Sequence, residues 1–239
     1  MLTTDTLSEV FTSVSAVMTR NRDYLVSLDQ VGGDGDLGVS MDDGFAAVAS
    51  FLGSSAPRDL GQAFRQGARV LNEAAPSSLG TILSFGLMGM ARSLRGLSEA
   101  DLSTTTRALR AGTQTIMARA ECAPGEKTVL DALLPAVQAL EEAVGIAPQA
   151  VTQGREGSSA GEAPLVEEGT LADPVTAALR RAAQAAAAGS AATRQMRAVH
   201  GRAAYSADRS VGVLDGGAEV GRLLFDGILA WRTACPGQE

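Results

Sequence analysis

The 239-residue chain holds a single histidine, His200, and only two cysteines, Cys122 and Cys235. So small a set excludes a disulfide framework and a cysteine metal cluster. It also argues against zinc, whose sites usually draw on His and Cys together. Catalytic schemes built on several histidines are excluded as well. The two thiols are expected to be unpaired, as in a reducing cytoplasm. Aromatic residues make up only 4% of the chain, and Val and Ile are scattered rather than alternating, which disfavours a β-rich fold. Basic residues are in deficit: 20 Lys and Arg against 27 Asp and Glu give a formal charge of −7. No basic stripe is available for a phosphate backbone, so no nucleic-acid partner is expected. No apolar run nears the roughly 18 residues of a membrane span. Residues 1–11 carry Asp5 and Glu9 and lack a basic stretch followed by an apolar one. No signal peptide is therefore expected, and the location is taken as cytoplasmic. No G-x4-G-K-[ST] motif occurs, so any nucleotide site must be of another type.

What is abundant is Ala, Leu and Gly, within a hydrophobic content of 45%. That composition favours close-packed helices. Apolar residues recur at helical spacing over 3–20, with Thr3 or Thr4 as cap, and again over 22–28, 39–53 and 58–73. A nearly all-apolar helix over 81–95 is expected to be buried. Ser98 and Asp101 resemble a capping box for a helix to about 120. Thr128 opens another helix, an Ala-rich one covers about 171–199, and the last covers 217–233. His200 then reads as the C-terminal residue of the Ala-rich helix, favoured there by the dipole. The expectation is about eight substantial helices, no strand and one domain spanning 1–239. Residues 150–168, rich in Gly, Ser and Glu, read as a mobile loop.

Four stretches carry chemistry. The first is Asp29, Asp34 and Asp36, set among four glycines in residues 32–38. Glycine lets the backbone curl until three carboxylates converge, and a hard divalent cation such as Mg2+ or Ca2+ relieves their repulsion. A solvated acidic turn is the plain alternative. The spacing is not that of an EF-hand. The second, Pro76-Ser77-Ser78-Leu79-Gly80-Thr81, precedes the apolar helix; it suits an anion at a helix N-terminus or simple capping by Ser78. The third, Gly125-Glu126-Lys127-Thr128-Val129-Leu130-Asp131, reads alone as a capped surface turn. The fourth, residues 201–218, alternates Arg202, Asp208, Arg209 and Asp215 with glycines, as a site-lining segment or as a turn anchored by an Arg–Asp pair.

Taken in order, these blocks resemble the DhaL-type family, the nucleotide-binding subunit or domain of dihydroxyacetone kinases. Leu28 to Met41 matches LDxxxGDGDxGxxM, Ser77 to Gly80 matches the small-residue SG turn, Gly125 to Leu133 matches GDKTMLDAL, and Gly201 to Ala218 matches GRASYLGERSIGxxDPGA. The resemblance implies an all-α barrel of about eight antiparallel helices with the nucleotide site at one end. It assigns Asp29, Asp34 and Asp36 to two Mg2+ ions that hold the phosphates of ATP or ADP. Leu37, Gly38, Val39 and Ser40 lie against the phosphates, as do Ser77, Ser78, Leu79 and Gly80. Val129 joins the nucleotide ligands, and Arg202, Asp215, Gly216 and Gly217 fall near base and ribose. No catalytic residue is assigned beyond the metal cluster. The chain departs from the family pattern at Leu37 (usually His), Ser40 (Asn) and Leu79 (Ser), and DPG has become DGG, so polar phosphate contacts are thinned while the metal ligands are intact.

The implied function is the phosphoryl-donor subunit of a two-component kinase. A K-type dihydroxyacetone kinase subunit holds the small ketose or triose. A relay in which a phosphocarrier protein rephosphorylates a resident ADP, and a non-catalytic nucleotide sensor, are the rival readings. Composition predicts that limited proteolysis cuts first within 150–168. The two fragments should co-elute on native gel filtration, because helices on both sides share one core; separate elution would mean two domains.

Overall fold

The computed structural model describes residues 1–147 and 173–235, so the expected loop 150–168 lies outside the described residues. Among the described residues, helices α1 (Thr4–Arg20), α2 (Arg22–Asp29), α3 (Leu37–Ser54), α4 (Leu60–Ala74) and α5 (Ser78–Ser93) are followed by α6 (Leu102–Ala120), α7 (Leu130–Ala143), α8 (Pro174–Ala192) and α9 (Gly216–Ala234). Most start where a short polar side chain can accept a backbone N–H. Thr3, Asp59, Ser77, Asp101, Asp173 and Asp215 each cap in this way. At Thr3 the bond is reciprocal, because Thr6 Oγ1 in turn accepts from the Thr3 N–H at 2.7 Å.

Several expected boundaries move, each for a local reason. A short antiparallel pair was not foreseen: β1 (Leu2–Thr3) and β2 (Glu99–Ala100) join, with Leu2 opposite Ala100. The Ser98–Asp101 box does not form; Asp101 itself caps α6, accepting from the Thr104 N–H at 2.7 Å. Ser77, not Ser78, caps α5. The Ala-rich helix stops at Ala192, and a 3-10 turn, Thr193–Gln195, follows. There the carbonyls of Thr193 and Met196 accept from the Lys127 ammonium, and Thr193 O also takes the Met196 N–H at 3.1 Å in a 3-10 bond. His200 is therefore not a helix terminus but a loop residue, with its Nε2 2.6 Å from Glu126 Oε2.

Eight of the helices form a closed ring. α1 packs on α3, and α3, α4, α5, α6, α7, α8 and α9 each pack on the next, until α9 returns to α1. α2 lies outside this order, against α3 and α9. Ring neighbours alternate in direction. The starts of α1, α6 and α8 surround one end, around Leu2, Leu102 and Pro174, and α4 starts there too, with the Leu60 N–H on Leu97 O at 2.8 Å. α3, α5, α7 and α9 begin at the other end. Closure is tight. Ser13 Oγ donates to Gly227 O at 2.8 Å, and a Cβ at Gly227 would lie 2.7 Å from Val14 Cα. α7 and α8 approach as closely. Pro135 has no N–H for the carbonyl of Asp131, and Gly189 backs onto that carbonyl, where a Cβ would stand 2.0 Å from the oxygen.

Of the face expected on α1, Leu7, Phe11, Val14 and Val17 are buried and Val10 is half-buried; Met18 is buried beside them, as are Met41, Phe45 and Val48 of α3. Phe11 packs against Phe45 and Phe64, with ring centroids 6.3 and 6.5 Å apart. An apolar pocket of ≈ 510 Å³ opens at the ring end around Leu2, Leu102 and Pro174 and runs in to these rings. Both cysteines are free thiols. No described helix is long and apolar enough to cross a membrane.

One ion pair is fully inside. Arg110 on α6 grips Glu141 on α7 with two parallel bonds, Nε to Oε1 at 2.8 Å and a second from a terminal nitrogen to Oε2. Neither side chain exceeds 8% exposure. Removing one partner strands the other charge, so Arg110→Ala is expected to cost about 3–5 kcal/mol in urea denaturation. Replacing both, Arg110→Met with Glu141→Leu, should return stability to within about 1 kcal/mol of the parent, since apolar pairs of similar volume often match buried ion pairs. A small loss for the single variant would show that water reaches the pair.

Candidate functional site

Where α3, α5 and α9 begin, the ring end opens into a cleft of ≈ 420 Å³. A helix N-terminus presents unpaired N–H groups and partial positive charge, so three such termini on one cleft favour an anion. α7 starts directly behind them: a Cβ at Gly217 would lie 3.3 Å from Val129 N and 3.7 Å from Leu79 Cδ1.

The acidic loop forms one side. Asp29 is the last residue of α2, and its Oδ2 accepts from the Gly35 N–H at 2.8 Å, curling residues 30–35 back over the helix end. A Cβ at Gly33 would lie 2.1 Å from Asp29 Oδ1, so a side chain there would displace that carboxylate. The turn brings carboxylate oxygens of Asp29, Asp34 and Asp36 within 4.8 Å of one another. Asp36 occupies the N-cap position of α3 yet makes no capping bond with its side chain. Burial, followed by the charges of Asp34 and Asp29, pushes its carboxyl above the usual range. Asp34 has a desolvation cost, but hydrogen bonds, the strongest from Arg202, hold its carboxyl below that range. Arg202 forms an ion pair with Asp34. Three oxygen donors that crowd, repel and recruit a guanidinium fit a hard divalent cation.

The expected site residues divide into two groups. Asp29, Asp34, Asp36, Leu37, Ser77, Ser78, Leu79, Arg202, Asp215, Gly216 and Gly217 line the cleft together. Gly38, Val39, Ser40, Gly80 and Val129 do not line it. Gly38 packs on α2, where a Cβ would lie 2.1 Å from Arg22 O, and Gly80 backs onto Ala75. Ser40 acts from behind, donating to Ser77 Oγ at 2.8 Å while Ser77 Oγ accepts from the Gly80 N–H at 3.1 Å. Arg202, which the resemblance places near base and ribose, pairs here with Asp34 of the carboxylate cluster. Leu37 lies against the DGG turn: a Cβ at Gly216 would be 2.6 Å from its Cδ2.

The sequence reading missed Lys127, taken for part of a surface turn. It is 5% exposed and has φ +63°, a left-handed conformation that costs a non-glycine residue about 1 kcal/mol or more. Asp131 sets that turn, with Oδ1 accepting from the Gly125 N–H at 2.6 Å and Oδ2 from the Thr128 N–H at 2.7 Å. Lys127 Nζ donates to the carbonyls of Thr193, Ser210 and Val213 at 2.8, 2.6 and 2.6 Å. No local pattern could have pointed to these acceptors, more than sixty residues away. Burial pulls the ammonium below its usual range.

Comparison with known proteins agrees with this architecture. The DAK2 domain family matches residues 31–163 and 162–230, and the chain belongs to that family. It is 27% identical over 209 residues to the PEP-dependent dihydroxyacetone kinase 1, ADP-binding subunit DhaL, of Listeria innocua, covering 87% of each chain. The corresponding Escherichia coli subunit is 26% identical over 202 residues, covering 84% of each. The dihydroxyacetone kinase of C. freundii, solved with AMP-PNP and Mg2+, superposes with a TM-score of 0.64 at 20% identity over 93% of this chain, which spans 33% of that one.

Asp215 caps α9, accepting from the Ala218 N–H at 2.7 Å. Burial pushes its carboxyl up to about 6, against the pull of Lys127 and with a further rise from Asp131. A carboxyl raised in the folded state opposes folding once ionised. Its penalty is absent below the unfolded value near 4, grows as pH rises, and is complete above about 6. Asp215→Asn keeps the cap and removes the charge. It should stabilise the chain by about 2–3 kcal/mol at pH 7.5 and by much less at pH 4.5, read by chemical denaturation at both. An equal effect at the two pH values would place the titration elsewhere.

Proposed function

We propose that this chain is the Mg-nucleotide-binding, phosphoryl-donor subunit of a two-component kinase for a small ketose or triose, acting in the cytoplasm with a K-type subunit that holds the sugar. The observation that carries it is the three-aspartate cluster facing the N-termini of α3, α5 and α9 across one cleft. Asp29, Asp34 and Asp36 would hold Mg2+, as two ions in the reading from resemblance. When bound, Mg2+ supplies positive charge against the nucleotide phosphates. The helix termini and Ser77 and Ser78 supply hydrogen-bond donors to the same oxygens. Arg202 brings a mobile-length cation to the cluster's edge, and Leu37 with Leu79 gives the cleft an apolar wall against the DGG turn. His200 is engaged with Glu126 and is not assigned as base for a sugar hydroxyl. The acceptor's positioning and proton transfer fall to the partner, as phosphoryl transfer asks of this chain only placement and charge.

A second reading concerns the phosphoryl source. The Listeria and E. coli relatives are named PEP-dependent and ADP-binding, which favours a resident ADP rephosphorylated in place by a phosphocarrier protein. Acid release of nucleotide from purified protein separates the two: retained ADP that resists exchange with labelled ATP supports the relay, and free exchange supports ATP as substrate.

Calorimetry should find that Asp34→Asn and Asp36→Asn each weaken Mg-nucleotide binding by about tenfold or more, with helicity unchanged. Arg202→Ala should weaken nucleotide binding without changing the partner's affinity for sugar. The chain alone should phosphorylate no small ketose, and a cognate K-type subunit should restore transfer. Unchanged Mg-nucleotide affinity in both aspartate variants would remove the metal assignment.

A further inference from the structure

Residues 193–215 leave α8, pass through the 3-10 helix Arg202–Ser210 and return to start α9. This excursion carries Arg202 and Asp215 to the cleft, and its narrow neck is held from inside. Lys127 Nζ bonds Thr193 O at 2.8 Å on the outgoing strand of the neck, and Ser210 O and Val213 O, both at 2.6 Å, on the returning one. Met196 O stands farther off at 3.4 Å. Backbone N–H groups also bond across the same neck: that of Gly212 donates to Arg194 O at 2.6 Å, that of Ala198 to the Ser210 hydroxyl at 2.9 Å, and that of Asp215 to the Thr193 hydroxyl at 3.0 Å.

No salt bridge joins Lys127 to a carboxylate among the described residues. A buried ammonium is met instead by carbonyl dipoles, in the way a bound monovalent cation would be. Thr193 O also accepts from the Met196 N–H at 3.1 Å and Ser210 O from the Val213 N–H at 3.3 Å, and the ammonium offsets the mutual repulsion of the carbonyl oxygens gathered around it. We propose that Lys127 is a positioning residue of the nucleotide site, an internal cation that closes the neck of residues 193–213 and so places Arg202 and Asp215. This rests on the nucleotide-binding reading above. Lys127 lines the cleft, but its Nζ donors are engaged by these carbonyls, so it acts through the backbone it gathers.

The experiment pairs Mg-ADP calorimetry with hydrogen exchange of the ligand-free full chain, for the parent and Lys127→Ala. The expected result is a loss of about tenfold or more in Mg-ADP affinity, with faster exchange at Ala198, Gly212 and Asp215. Excess ammonium chloride, small enough to enter the vacated cage, should reverse both changes. Tetramethylammonium chloride, of equal charge but without N–H donors, should reverse neither. If Lys127→Ala does not fold, Lys127→Gln, which keeps two N–H donors, is put through the same measurements. Lost affinity with unchanged exchange would overturn the proposal, because Lys127 would then act on the nucleotide itself. Affinity within twofold of the parent would overturn it, as would changes that ammonium leaves in place. If the parent chain binds no Mg-ADP, the functional reading fails by itself, and the exchange measurement still decides whether Lys127 holds the neck.

Discussion

Closure of α9 against α1 is the contact on which the rest of the molecule depends. Both helices give up side-chain volume for it. Gly227 sits against the backbone of Val14, Ser13 reaches across to Gly227 O, and Trp231 Nε1 donates to Glu9 Oε2 at 3.0 Å. A row of helices with two open edges would expose an apolar face along each. A closed ring leaves none, and it forces alternate helices to start at the same end. The convergence of α3, α5, α7 and α9 is thus a consequence of closure, and the anion-favouring end of the molecule follows from it.

That end balances unlike fields. Helix termini and Arg202 make it positive, while Asp29, Asp34, Asp36 and Asp215 make it negative. The directions in which the carboxyls shift reflect the balance. Asp36, crowded by its neighbours, is pushed up, and Asp34, bonded to Arg202, is held down. Asp215 lies deeper, and burial dominates its titration.

The layer behind the cleft contributes by placement. Ser40 touches Ser77 rather than the cavity, and Gly38 and Gly80 let α3 and α5 seat against their neighbours. Residues that a motif groups together therefore do different work. Asp29, Leu37 and Ser77 face the cleft, whereas Val129, 2% exposed, supports the wall from within.

The helices were legible in the sequence because their causes are local. Apolar spacing marked the face of α1, Thr3 marked its start, and clustered glycines marked the acidic loop. The three aspartates were legible as a group because they lie within eight residues, so a short turn suffices to join them. Where the cause was distant, the sequence was silent or misleading. The Ala-rich run has the propensity to continue past Ala192, yet it tightens there into the 3-10 turn Thr193–Gln195, whose first carbonyl meets the distant Lys127. His200 looked like a helix end because nothing nearby announces Glu126. The pairing of Arg202 with Asp34, and the gathering of the 193–213 neck on one ammonium, join residues from separate parts of the chain. Local propensity and capping were thus determined by the sequence alone. Which polar groups meet across the cleft was decided only by closure of the ring, since contact between distant residues depends on how the helices between them pack.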